Sequence, residues 1–147
     1  MKTIQKDPAT RSCPCGSDVP YSGCCGRYLD GNAGADTAVA LMRSRYAAYV
    51  LRRETYLLGT WHPTTRPTAL SLGDETKWLG LQVLRHERRG DDQALVEFVA
   101  RYKVDGRANR LHEISRFVHQ DGRWFYVAGR IVEPASRRGD AAGSKPV

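Results

Sequence analysis

Four cysteines fall between positions 13 and 25, inside the segment CPCGSDVPYSGCCG, and the 147-residue chain holds no others. Cys13 and Cys15 come first, then eight residues, then the adjacent Cys24 and Cys25. Four thiols that close in sequence can complete one tetrahedral shell around a soft divalent ion. Pro14 and Gly16 stiffen and turn the first arm, while Gly23 and Gly26 free the backbone around the second. Two disulfides or four free thiols are the alternatives. Disulfides call for an oxidising compartment, and a bridge between the neighbouring Cys24 and Cys25 would strain the geometry. The favoured reading is a structural zinc site with Cys13, Cys15, Cys24 and Cys25 as ligands. Four protein ligands leave no open position, so the site is not expected to be catalytic. Four thiolates and one Zn²⁺ leave a formal −2, taking the chain from +7 to +5.

A 41% hydrophobic composition suffices for a packed core and argues against a disordered chain. No apolar run approaches the ~20 residues of a spanning helix, and MKTIQKDPATRS lacks the apolar stretch of a secretory signal. A soluble cytoplasmic protein is expected. The knuckle, residues 12–28, is too short to bury a core, so metal must supply its folding energy. GRYLDGNAGAD, residues 26–36, reads as a linker that leaves the knuckle a separate unit.

Residues 36–133 read as one α+β domain. Asp36 or Thr37 caps a helix whose apolar stripe is Val39, Met42, Tyr46, Tyr49 and Val50. A second helix runs from about Arg53 to Trp61, with Leu57, Leu58 and Trp61 facing in, and His62-Pro63 ends it. Residues 64–75 form a loop, with room for a helical turn near Pro67. Four strands follow, at 77–89, 93–104, 108–120 and 123–132, divided by Gly90-Asp91-Asp92, Asp105-Gly106 and Asp121-Gly122. Asp-Gly between apolar runs signals a two-residue hairpin, so the strands form an antiparallel meander. Residues 134–147 are expected to be a disordered tail.

Two-residue turns also set register. Partner numbers sum to 211 around Asp105-Gly106 and to 243 around Asp121-Gly122. One face then holds Val96, Phe98, Ala100, Tyr102, Leu111, Glu113, Ser115, Phe117, Tyr126, Ala128, Arg130 and Val132. Leu79, Leu81 and Val83 join it if the first turn is also even-numbered. The two helices should cover this face. Glu113 would lie opposite both Phe98 and Arg130, and the expectation is a buried Glu113–Arg130 salt bridge that fixes the sheet. The functional alternative makes Glu113 a pocket base or ligand anchor, with Arg130, Tyr46, Tyr102, Tyr56 and His62 near it. The other face carries Arg101, Lys103, Arg110, His112 and Arg116 among Val99, Ile114, Val118, Phe125, Val127 and Ile131. It suggests a partner or homodimer, unless loops or the knuckle cover it.

The cysteine segment resembles the SEC-C motif, the zinc-binding tail of the SecA translocation ATPase, through CPCGS, Tyr21 and Cys24-Cys25-Gly26. That resemblance implies the same four ligands. Where the motif continues Gly-Lys, this chain has Asp18-Val19, which makes the knuckle less cationic. Helices leading into a long curved meander resemble the cone-shaped nuclear transport factor 2-like fold. The blocks LMRSRYAAYV, TYLLGTWHP, VEFVARY, LHEISRF and GRWFYVAG, in order behind the knuckle, are similar to the YchJ-like family of uncharacterised bacterial proteins. Many members carry a second SEC-C motif near the C-terminus, for which this chain lacks the cysteines. The resemblance implies a fold and a metal, not an activity.

Three functions compete. A non-enzymatic interaction protein would bind a protein or ribosomal partner through the knuckle. A cone with an open pocket would bind a small molecule or act as an isomerase or dehydratase. Nucleic-acid contact is suggested by the charge of +7, but that charge is dispersed, with 16 cationic and 12 acidic residues over 36–133 and no dense basic stripe. Redox release of zinc-held thiolates is a weaker fourth reading. The interaction protein is the expectation, with no catalytic residue assigned.

Overall fold

In a computed structural model, residues 11–70, 72 and 75–133 are described. The tail expected at 134–147 lies outside them. A 3-10 turn at Tyr21–Gly23 and a short helix α1 (Gly26–Leu29) belong to the cysteine segment. Helices α2 (Ala38–Leu51) and α3 (Glu54–Gly59) follow. Strands β1 (Thr76–Arg89), β2 (Gln93–Val104), β3 (Arg107–Gln120) and β4 (Arg123–Ile131) form one antiparallel sheet in the order β1-β2-β3-β4.

Local chemistry explains the ends of these elements. Thr37 caps α2, its hydroxyl accepting from Ala40 N at 3.0 Å. Arg52 stops the helix in the left-handed region at φ 59°. Asp105-Gly106 and Asp121-Gly122 both have positive φ at each residue, the backbone of the tight turn whose twist matches paired strands. Residues 63–65 make a turn, and no helical turn forms at Pro67.

Register follows the turns until a bulge intervenes. Every β2–β3 pair sums to 211, from Val104 with Arg107 to Gln93 with Val118. The β3–β4 pairs sum to 243 only as far as Phe117 with Tyr126; beyond it Arg116 pairs with Ala128 and Glu113 with Ile131. Val127 is the extra residue. A one-residue insertion moves all later side chains to the opposite face, so Gly129 and Ile131 take the core side expected for Ala128, Arg130 and Val132. Strand β1 carries two such bulges, at Leu79 and Leu84. Leu81 and Val83 pack on the core as expected, but Leu79 is 49% exposed and Trp78 takes the inward position.

The core lies between α2 and the sheet, built from Leu41, Met42, Tyr46, Val96, Phe98, Phe117 and Tyr126. Burial on α2 is wider than one apolar stripe and takes in Ser44, Arg45, Ala47 and Ala48. That additional burial is shared: Ser44 meets Tyr56 of α3, Arg45 meets Leu57 and Thr60, and the knuckle covers Ala47. Ala47 packs among Cys13, Cys15, Tyr21 and Cys25, and Arg43 Nη1 donates to Cys15 O at 3.0 Å. The cysteine segment therefore rests on the helix rather than hanging from a linker, and part of that linker is α1. On the outer face, Val99 and Val127 are covered within the chain itself. The edge of β4 is also occupied: Tyr126 N donates to Thr60 O, and His62 N donates to Tyr126 O, both at 2.8 Å.

Candidate metal centre

Backbone hydrogen bonds fold the cysteine segment back on itself. Cys13 N donates to Val19 O at 2.9 Å, Gly16 N to Cys13 O at 3.1 Å, and Tyr21 N to Arg11 O at 2.8 Å. Asp18 holds φ 66°, which lets the chain reverse before Val19. The 3-10 turn and α1 then bring Cys24 and Cys25 back under Cys13 and Cys15. Gly26 is required here, because a Cβ would come within 2.7 Å of Tyr21 O. Tyr21 OH donates to Asp30 Oδ2 at 2.9 Å, and Arg53 Nη1 donates to Asp30 Oδ1 at 2.7 Å, which ties the knuckle to the α2–α3 junction.

All four sulfurs lie within 4.8 Å of one another, and Cys15 Sγ is 3.6 Å from Cys24 Sγ. A tetrahedral ion with bonds of ~2.3 Å to sulfur separates its ligands by roughly 3.8 Å, so the set fits one centre. Cys13, Cys15 and Cys25 are buried, and Cys24 is half-buried with Ser17 Oγ 3.1 Å from its sulfur. Hydrogen bonds from Cys13 and Cys25 hold the Cys15 thiol far below the ordinary range. The bond with Cys15 pushes Cys13 up to about 11, and bonds with Cys13 and Cys15, with burial, push Cys25 well up. One thiolate thus forms readily and opposes the next. A bound divalent cation reverses that opposition. The cluster can hold a metal.

The interior near Glu113 differs from expectation. The Val127 bulge places Arg130 opposite Ile114 on the outer face, exposed, so the Glu113–Arg130 salt bridge does not form. Glu113 is fully buried, with Ser115 Oγ donating to its Oε2 at 2.9 Å. Gly129 makes room for it, since a Cβ there would run into Oε2. The buried cation is Arg45, which sequence reasoning missed. Its Nη1 donates to Leu57 O at 2.8 Å and Thr60 Oγ1 at 2.7 Å, and its guanidinium lies 4.5 Å from the Tyr126 ring centre and 5.0 Å from that of Trp61. Arg45 lies four residues from Leu41 and from Tyr49, a spacing that places it on their side of the helix. Among the described residues Arg45 and Glu113 make no direct ion pair. Arg45 Nε and Nη2, Glu113 Oε1 and Tyr126 OH are buried without a protein partner. Burial raises Glu113 to about 7, opposed by Ser115 and then Arg45.

The other candidates are dispersed. Tyr46 is buried and meets Trp78 edge-on, and Tyr102 lies tilted against the same ring with 5.4 Å between centres. Tyr56 OH lies 2.6 Å from Ser44 Oγ, and His62 is held between Thr64 and Gln120. A cleft of about 790 Å³ does open between residues 31–36, α3 and the β3–β4 turn, bounded by Leu41, Tyr56, Thr60, His119 and Trp124. Neither Glu113 nor Arg45 lines it.

Residues 37–129 match the family described as YchJ, middle NTF2-like domain. A UPF0225 protein of Chromobacterium violaceum is 54% identical over 133 residues, covering 86% of this chain and 98% of that one. The chain belongs to the UPF0225, YchJ-like family. A second UPF0225 protein, from Ralstonia nicotianae, is 53% identical over 135 residues, covering 84% of this chain and 93% of its own. Two solved structures share the architecture. One, a SEC-C motif containing protein from Rhodopseudomonas palustris, has TM-score 0.72 and 36% identity, covering 83% of this chain and 99% of that chain. The other, a sec-c motif containing protein from Psychrobacter arcticus, has TM-score 0.71 and 29% identity, covering 95% and 86%. The α+β fold, NTF2-like domain and cysteine knuckle expected from sequence are those of this UPF0225 chain. No helix among the described residues is long and apolar enough to cross a membrane.

Proposed function

We propose that this UPF0225 protein is a cytoplasmic, zinc-bearing interaction module in which Cys13, Cys15, Cys24 and Cys25 hold one Zn²⁺ and the knuckle presents a binding surface to a protein or ribosomal partner. The observation that carries the reading is the convergence of four sulfurs on one centre beneath an exposed loop. Gly16, Asp18, Val19 and Pro20 are exposed above the sulfurs, and Val19 is an apolar side chain left 41% open. Zinc supplies the rigidity that this short segment cannot draw from a core. The NTF2-like domain is the scaffold. Glu113 is closed off from solvent, and this supports a structural role for the interior over ligand binding or isomerase chemistry there.

Elemental analysis of the full chain purified under reducing conditions tests the metal. The expected result is one zinc per chain, lost in Cys13→Ser/Cys25→Ser. Affinity capture with the same two proteins tests the surface. Partners recovered by the native chain and not by the variant support the knuckle; equal recovery overturns its role.

A further inference from the structure

Strand pairing gathers cations that the sequence disperses. Lys77 of β1 lies directly opposite Lys103 of β2, and Arg101 of β2 directly opposite Arg110 of β3. Arg101 and Lys103 are two residues apart, so the pairs occupy successive rows of one face, the face turned away from α2. All four residues are exposed. The remaining places in those rows are Gly80 and Ala108. A Cβ at Gly80 would meet nothing within 4 Å, so bare backbone forms a shallow dip beside Arg101.

Among the described residues no acid pairs with the group. Glu97, on the same face of β2, is committed to Arg85 at 2.9 Å and His112 at 2.7 Å. Glu75 and Asp105, the nearest acids in the chain, pair with none of the four among the described residues. Like charges directly opposite one another weaken a sheet. Two such pairs in adjacent rows therefore oppose folding and call for a polyanionic counterpart.

We propose that this face binds the sugar–phosphate backbone of a nucleic acid, with Lys77, Arg101, Lys103 and Arg110 neutralising neighbouring phosphates. Strand spacing and rise put the four cations on a grid of roughly 5 by 7 Å, held rigid by the sheet. Guanidinium groups grip phosphate oxygens in pairs. No aromatic side chain shares these rows, so bases are not stacked and sequence preference is weak. An acidic peptide fits less well, because the four cations stand on a sheet face and not along the hydrogen-bonding edge that an extended peptide pairs with.

Fluorescence anisotropy of the full chain with a labelled 20-nucleotide single-stranded RNA, over a salt series, tests the proposal. Four phosphate contacts predict a log–log salt slope of about −3. R101Q/R110Q should weaken binding at least tenfold at low salt and roughly halve the slope. K77Q/K103Q should do the same. R116Q/R123Q, which removes equal charge at the opposite end of the strands, should leave the slope unchanged. Thermal melting separates folding from binding, since R101Q/R110Q should melt no lower than the native chain. Absence of RNA binding, equal weakening by the control pair, or tighter binding to polyglutamate or phosphatidylglycerol vesicles than to RNA would overturn it.

Discussion

Glu113 shows how one residue's surroundings set its charge. Its carboxyl is buried beside Ser115 and Gly129, and burial raises it to about 7 from an ordinary 4.5. A raised carboxyl binds its proton more tightly in the folded chain than in the unfolded one. It therefore stabilises fully below about pH 4.5, and that contribution falls away as pH rises through about 7. The shift is worth on the order of 3 kcal/mol across that window. Glu113→Gln should flatten the decline of unfolding free energy between pH 4.5 and 7, measured by urea denaturation at a series of pH values. An unchanged slope would show that Glu113 is ionised throughout. The residue's place on the core face is legible in the alternation around Asp105-Gly106. Its cation is not, because an apolar stripe along α2 passes over Arg45, and a buried arginine held by Leu57 and Thr60 looks like any solvated one in a sequence.

Elements are legible where a short segment carries its own instruction. Thr37 caps α2 through Ala40 N, and Asp-Gly pairs adopt the positive φ that few other dipeptides accept. Thr37→Ala should lower stability by about 1 kcal/mol, read as a fall of a few degrees in Tm. A variant as stable as the native chain would mean that contacts of the knuckle and sheet hold the first turn unaided. Bulges carry no such instruction. Val127, Leu84 and Leu79 are ordinary strand residues, and only the closing of the sheet over α2 singles them out. Each flips the facing of the residues beyond it in its strand, which is why strict alternation puts Arg130 inside while the folded sheet holds it outside.

The whole molecule is a sheet-and-helix domain with the knuckle seated on one side of α2. Few side chains are buried in the knuckle, chiefly Cys13, Cys15, Tyr21 and Cys25. If zinc organises it, a strong chelator should abolish hydrogen-exchange protection across residues 13–29 while the β2–β3 hairpin stays protected. Loss of both together would mean that the knuckle and domain unfold as one unit. The tie from Tyr21 through Asp30 to Arg53 is the contact through which such coupling would travel.

The cysteine cluster, the helix cap and the two Asp-Gly turns can be read directly from the order of residues, because each depends on positions a few places apart. Sulfurs spaced within thirteen residues can converge without help from the rest of the chain. The burial of Arg45, the space that Gly129 clears for Glu113, and the arrival of Lys77 beside Arg101, Lys103 and Arg110, which the Asp105-Gly106 register already puts on one face, follow only once the chain has folded. Arg45 is settled by what packs against α2, and the strand residues by side-chain parity along whole strands, which one bulge reverses.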